Sequence, residues 1–300
     1  MTVCDGRRRI PLGEKCGLAL SIAAMDTDAS FATAAARLPD TVPVGGAGRR
    51  AATLSALVVV HDEEGQLGDC LDGLRFADEI VVVLDRCTDR SREIALARGC
   101  RLLEGGWERE GDRRNAGIAA CRGDWIVEID ADERVPEALA AEIRRTIETS
   151  PHAYHEVPVD NYVGSRLVRW GWGASFGKSA YPGLFRKGAK SWGAQRVHPA
   201  LAFTGSKGTP LTHRLDHYVD RNLSDMIQRL DRYTTARARD LRESGDIGSY
   251  PANIRRIFSR FYKCYVRRHG YREGPYGFMI ALCAGLYPIL SYLKARLDTD

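Results

Sequence analysis

From Leu54 onward, apolar runs alternate with amphipathic stretches at regular intervals. Ser55 to Val60 is a continuous apolar run of the kind that forms a strand buried on both faces, and it ends at His61-Asp62-Glu63-Glu64. Residues 64–76 carry Leu67, Leu71 and Leu74 at helical spacing. A second buried strand follows over Glu79 to Leu84 and runs into Asp85. Thr88 and Asp89 then cap a helix that turns Ile94, Ala95 and Ala97 inward, with Gly99 just past its end. Cys100 to Leu103 predicts a third strand, Arg113 to Cys121 a helix, and Trp125 to Ile129 a fourth strand. Pro136 suits the first turn of a helix over 136–149. Strands alternating with helices of this length predict an α/β fold built on a mostly parallel, doubly wound sheet.

The alternation stops after residue 150. Residues 153–217 are rich in Trp, Gly, His and Tyr and predict extended segments joined by turns, whereas 222–244 predict a charged helix. Residues 251–272 interleave seven cations (Arg255, Arg256, Arg260, Lys263, Arg267, Arg268, Arg272) with Ile257, Phe258, Phe261, Tyr262, Tyr265 and Val266, without one acidic residue. That is a basic amphipathic helix. Residues 276–293 then run without a charge, at the lower limit for crossing a bilayer, although Pro288 and two glycines weaken a spanning reading. The two segments together predict association with an anionic, cytoplasmic membrane surface. The competing reading is a core-packing terminal helix beside a solvated basic face.

Composition narrows the choice only modestly. The chain of 300 residues is long enough for a full core, and its 44% hydrophobic and 28% charged content is ordinary for a soluble protein. The net charge of +5 alone says little, the placement of the basic residues matters more, and nucleic acid is not expected as a partner. Eight scattered cysteines without a C-x-x-C predict reduced thiols, neither a zinc site nor a disulfide framework. Residues 1–50 read as a disordered leader; Pro11, Glu14 and Lys15 interrupt what little resembles a signal peptide. The expected organisation is therefore a leader (1–50), a catalytic domain (51–220, divided near 150) and a C-terminal extension (221–300).

The candidate chemistry gathers where the strands end. Asp130-Ala131-Asp132 follows the fourth strand, and positions i and i+2 at a strand end share a direction. Two carboxylates so placed can hold a hard divalent cation and leave coordination positions for phosphate or water. Alone, the motif is more often a polar turn. Here, however, a parallel sheet brings Asp62-Glu63-Glu64 and Asp85 to the same edge. So many like charges repel one another unless a cation or hydrogen-bond donors lie between them. Arg113, Arg114 and Asn115, before the fourth strand, can supply opposing charge, and the whole suits a nucleotide diphosphate.

Four segments in order, LVVVHDEE (57–64), IVVVLDRCTDRS (80–91), RRNAG (113–117) and GDWIVEIDADE (123–133), resemble family 2 glycosyltransferases of the GT-A fold. Gly171-Trp172-Gly173, Leu184-Phe185-Arg186, Val197-His198-Pro199 and Asp216-His217-Tyr218 resemble the subgroup that adds sugars to the lipopolysaccharide inner core. The resemblance spans residues 53–295 and implies a GT-A, Rossmann-like sheet with an acceptor-binding half. It implies an inverting transfer of a hexose from a nucleotide-diphosphate sugar, UDP-glucose first, to a membrane-linked glycan. By that resemblance Asp62 or Glu64 lies near uracil or ribose, Asp85 contacts the nucleoside and Arg114 the base or diphosphate. Asp130 lies near ribose and sugar, and Asp132 ligates Mg2+ or Mn2+.

The sequence departs from the subgroup at Pro199, where a glutamate often follows the Val-His pair. Asp160, Asp216 and His198 remain as base candidates, with Asp216-His217 alternatively a structural pair. Arg186 and Lys187 are candidates for the diphosphate or an anionic acceptor. Trp170, Trp172, Trp192 and Tyr181 form either a sugar-stacking surface or a small core. Two other functions stay open at this point: an inactive membrane-surface binder or scaffold of the same fold, and a D-x-D phosphohydrolase. The second is disfavoured because the motif follows the fourth strand and Arg134 stands two residues beyond it.

Overall fold

A computed structural model describes residues 50–173, 177–194 and 200–298. Residues 1–49 of the leader, and Val197, His198 and Pro199, lie outside them. In chain order the elements are β1 (Leu54–Val60), α1 (Glu64–Asp72), β2 (Glu79–Asp85), α2 (Ser91–Ala97), β3 (Arg101–Gly105), α3 (Glu110–Ala120), β4 (Trp125–Ile129), β5 (Glu133–Arg134) and α4 (Glu137–Thr149). There follow β6 (Tyr154–Val163), β7 (Arg166–Val168), β8 (Ala180–Arg186), β9 (Lys190–Trp192), β10 (Leu201–Phe203), β11 (Leu215–Asp220), α5 (Leu223–Ser244), α6 (Tyr250–Tyr262) and α7 (Pro275–Leu297). A π-helical turn (Lys263–Arg267) and a 3-10 turn (Gly270–Glu273) join the last two helices.

The main sheet runs β3-β2-β1-β4-β8-β6-β11-β5, with β7 beside β6. Its first four strands are parallel, as the apolar runs predict. From β8 the sheet turns mixed: β8 is antiparallel to both β4 and β6, and β11 is parallel to β6 but antiparallel to β5. Side-chain alternation gives β1 two apolar faces. Leu57 faces Val83, Ile118 and Phe185 beneath α3, while Ala56, Val58 and Val60 join Leu67, Leu71, Leu139 and Ile143 on the other face. At Gly117 of α3 an added Cβ would stand 2.6 Å from the Leu57 side chain, so glycine sets how closely α3 approaches the sheet.

Helix ends account for the main differences from the predicted boundaries. α1 stops at Asp72 rather than 76, because the chain turns through Asp78, whose carboxylate accepts from the Leu54 amide and pairs with Arg144. The basic helix predicted over 251–272 closes as regular α-helix at Tyr262 and reverses at His269, which holds a left-handed φ of 58°. Gly270 permits that reversal, since a Cβ there would stand 2.9 Å from the Cys264 carbonyl oxygen. α5, α6 and α7 then close over Val163, Val168 and Trp172 as a second apolar cluster. α7 is long and apolar enough to cross a membrane by composition, but Ile280, Ala281, Cys283, Ala284 and Tyr287 are buried within that cluster. The six cysteines among the described residues are all free.

Candidate active site

Parallel pairing of β1, β2 and β4 places Asp62, Asp85 and the Asp130–Asp132 turn along one edge of the sheet, as predicted. The turn is fixed locally: the Asp130 amide donates to Glu133 Oε2 at 2.8 Å and the Glu133 amide to the Asp130 carbonyl at 3.0 Å. β5 then pairs with β11, which brings His217 to Asp132.

The two aspartates of the motif have different surroundings. Asp130 meets Arg114 at 3.0 Å and Lys178 at 3.0 Å. Burial acts to raise its carboxyl, but these two cations outweigh burial and hold it well below the usual range. Behind it lies an ion-pair network in which Arg114 also meets Glu110 and Glu128, Lys190 meets Glu128 at 2.6 Å, and Lys178 meets Glu133 at 2.7 Å. Burial is the largest influence on Glu133 and leaves its carboxyl above the usual range despite Lys178. The same burial raises Glu63, helped by the nearby charge of Asp132.

Among the described residues, Asp132, in contrast, forms no ion pair with an Arg or Lys. Its Oδ2 faces His217 Nε2 at 3.2 Å, and its Oδ1 is buried without a hydrogen-bond partner. Asn161 fixes the histidine tautomer. Its Nδ2 donates to the Lys178 carbonyl at 2.9 Å, which turns its Oδ1 toward His217 Nδ1 at 2.9 Å. Nδ1 therefore carries the hydrogen, and Nε2 is the nitrogen aimed at Asp132. A buried carboxylate oxygen without a donor, next to an oriented imidazole nitrogen, fits a divalent cation. The sequence marks His217 within the Asp216-His217-Tyr218 motif and as half of a structural pair, but not as a partner of Asp132, which lies 85 positions away and leaves no local signal.

The other expected residues divide into several groups. Asp62 Oδ1 accepts from the Thr88 and Asp89 amides, and Glu64 Oε2 from the Arg90 amide, so both brace the loop after β2 at the site edge. Asp85 is almost fully buried and takes up the Trp107 amide, Arg86 and Arg113. Burial works to raise it, but those donors prevail and keep it below the usual range. Arg114 is brought to the site, though its guanidinium is engaged by the three acids and lies over the Trp192 ring at 4.8 Å.

Arg186 is not brought to the site. It pairs in register with Trp125 at the far end of β4, and it donates to the His152 and Ser150 carbonyls. The expectation that it touches substrate is corrected by that position. Asp160 and Asp216, opposite one another on β6 and β11, are also displaced. Strand alternation turns them away from the face that carries Asn161 and His217. There Asp160 binds Arg214 at 2.6 Å, while Asp216, raised chiefly by burial, hydrogen-bonds Tyr162. Neither is placed to take a proton at the Asp132–His217 face. The third candidate, His198, lies outside the described residues. Nor do the aromatics make one stacking surface. Trp172 is buried in the helical cluster and Tyr181 in the ion-pair network, and Trp170 lies exposed beside His269. A cavity of about 500 Å³ lies away from these carboxylates, lined by the β6–β7 turn and the N-terminal ends of α5 and α7.

Four parallel strands, a D-x-D turn at their edge and a mixed second half closed by helices are the arrangement of a GT-A glycosyltransferase. Residues 55–200 match the family model "Glycosyl transferase family 2"; the chain carries a family 2 glycosyltransferase domain and is an enzyme of that class. The lipopolysaccharide core biosynthesis glycosyltransferase LpsC of Rhizobium meliloti is 26% identical over 271 residues, covering 82% of this chain and 96% of that protein. An uncharacterized glycosyltransferase of Rickettsia bellii is 22% identical, covering 81% of this chain and 86% of that protein. Among solved structures, glucosyl-3-phosphoglycerate synthase from Mycobacterium tuberculosis, crystallised with Mn2+, UDP and glucosyl-3-phosphoglycerate, is 22% identical with a TM-score of 0.32. That match covers 37% of this chain and 44% of that one, so less than half of its length is spanned.

Proposed function

We propose that the chain is an inverting, metal-dependent hexosyltransferase. It moves glucose from UDP-glucose to a membrane-linked glycan of the lipopolysaccharide core type, on the inner face of the cytoplasmic membrane. The observation that carries this reading is the unpartnered Asp132 Oδ1 beside His217 Nε2, at a strand edge lined with further carboxylates. Asp132 and His217 hold Mg2+ or Mn2+, which when bound supplies positive charge where the diphosphate departs. Asn161 keeps His217 in the tautomer that presents Nε2. Asp130, ionised by Arg114 and Lys178 and about one third exposed, keeps lone pairs for ribose or sugar hydroxyls. Asp62, Glu64 and Asp85 line the nucleoside end, at the C-terminal ends of β1 and β2. The acceptor hydroxyl loses its proton on the face of the sugar opposite the diphosphate.

The test is UDP release and sugar transfer from UDP-glucose to core oligosaccharide with Mn2+ present. Asp132→Ala and His217→Ala each lower turnover by about a hundredfold or more, the range for losing one electrostatic stabiliser of a transition state. Undiminished turnover in either folded variant, or full activity of the wild type in a chelator, overturns the reading.

A further inference from the structure

α6 and the π-helical turn after it leave one face uncovered, and its make-up is unusual for a solvated surface. Arg255, Phe258, Ser259, Tyr262 and Val266 follow the i, i+3, i+4, i+7, i+11 spacing of a single helical face, with Lys263 and Arg267 along one margin. Phe258 is 71% exposed, Tyr262 55% and Val266 40%. The opposite face, with Asn253 and Cys264 buried, packs on α7. At Gly285 of α7 an added Cβ would stand 2.9 Å from the Ile257 carbonyl oxygen, so the two helices are in close backbone approach. The exposed face is therefore set outward by a fixed contact.

Its charge is one-sided. No Asp or Glu occurs between Ile247 and Arg272. Arg268 is used internally, on the Trp172 carbonyl, Arg256 binds Asn253 and Arg260 lies over Tyr287. Among the described residues, Arg255, Lys263 and Arg267 have no acidic partner, although the chain pairs most of its other buried and half-buried cations. Large exposed apolar side chains flanked by unneutralised cations match the interfacial zone of an anionic bilayer, where rings enter the headgroup boundary and cations meet phosphates. The sequence pattern pointed to α6 and α7 acting together. The structure separates them, because α7 spends its apolar surface on the protein's own core.

We propose that the outward face of α6, with Phe258, Tyr262 and Val266 as apolar contacts and Arg255, Lys263 and Arg267 as headgroup contacts, docks the protein on an anionic lipid bilayer. This rests on the membrane location proposed above and deepens it by naming the surface that makes the contact; it does not depend on the donor or metal assigned there.

The experiment is co-sedimentation of the full chain with vesicles of pure phosphatidylglycerol and with vesicles of pure phosphatidylcholine, at low and high salt. The wild type sediments with the anionic vesicles and is released by salt. The R255Q/K263Q/R267Q variant loses roughly a hundredfold in partition coefficient, from about fivefold per cation. The F258S/Y262S/V266S variant is weakened on the same vesicles, and a cooperative thermal melt checks that each variant is folded, as expected from the exposure of all six residues. UDP release from UDP-glucose in solution, followed in parallel, reports on the transferase reading separately. Three results overturn the proposal: no sedimentation of the wild type, equal sedimentation on both vesicle types, or undiminished sedimentation of the charge variant. Capture of the same face by an acidic protein with no vesicle binding also overturns it.

Discussion

Lys178→Met isolates the interaction that joins the two halves of the site. Lys178 reaches Glu133 at 2.7 Å and Asp130 at 3.0 Å, and its carbonyl receives the amide of the asparagine that orients His217. Glu133 has a fully buried side chain and, among the described residues, no second Arg or Lys partner, whereas Asp130 retains Arg114. Removing one member of a buried ion pair costs about 3–5 kcal/mol. The lower end applies here, since Asp130 keeps one cation and Glu133, already raised by burial, accepts a proton. A loss of about 3 kcal/mol in a chain of this size lowers the melting temperature by roughly 6–12 °C. Calorimetry of Lys178→Met, Glu133→Gln and the double variant measures the coupling directly. Each single change is expected to destabilise, and the double change to cost clearly less than their sum. Lys178→Arg restores part of the loss. A Lys178→Met protein melting within about 2 °C of wild type, or strict additivity in the cycle, refutes the reasoning.

Gly117→Ala sets helix propensity against packing. Alanine gains about 1 kcal/mol in a helix, but its methyl group would stand 2.6 Å from Leu57 and 2.8 Å from Val83, both fully buried, and overpacking costs about 1–3 kcal/mol. Urea denaturation should show net destabilisation, and a stabilised variant would mean that α3 can shift outward. Asn161→Leu removes the acceptor on His217 Nδ1 and should raise the Mn2+ concentration needed for half-maximal activity by about 10–100-fold, leaving the rate at saturating metal closer to wild type. An unchanged metal requirement would sink that role. The Asp124 carboxyl is held at about 2, chiefly by the Thr53 amide and hydroxyl with Arg50 beside them. A depressed carboxylate contributes stability above its unfolded value of about 3.9, and that contribution is lost as pH falls toward about 2. Asp124→Asn should therefore flatten the acid limb of a melting-temperature profile; an unaltered limb contradicts the assignment.

The strands of the nucleotide half were legible because burial on both faces imposes continuous apolar runs, as in Leu57 to Val60 and Val81 to Leu84. The carboxylate edge followed from parallel topology alone. What the sequence hid was pairing at long range. Arg114 was anticipated as opposing charge, but nothing near Asp130 or Asp132 reveals that Lys178 joins it on the first, while the second faces His217. Period-two alternation was available for β6 and β11, but without their register it could not tell that Asp160 and Asp216 share the face opposite Asn161 and His217. Arg186 was misplaced for a related reason. Its strand runs antiparallel to β4, so its C-terminal end meets the start of β4 rather than the acidic edge. α7 shows the limit of composition, since its uncharged stretch over 276–293 serves here largely as core.

The central claim is that Asp132, with His217, makes nucleotide binding depend on a divalent cation. Isothermal titration of UDP into wild-type protein and into Asp132→Asn, with and without Mn2+, tests it most directly. The account predicts that Mn2+ strengthens UDP binding to the wild type and leaves binding to the folded Asp132→Asn protein unchanged. Equal Mn2+-dependent binding by both proteins would contradict it.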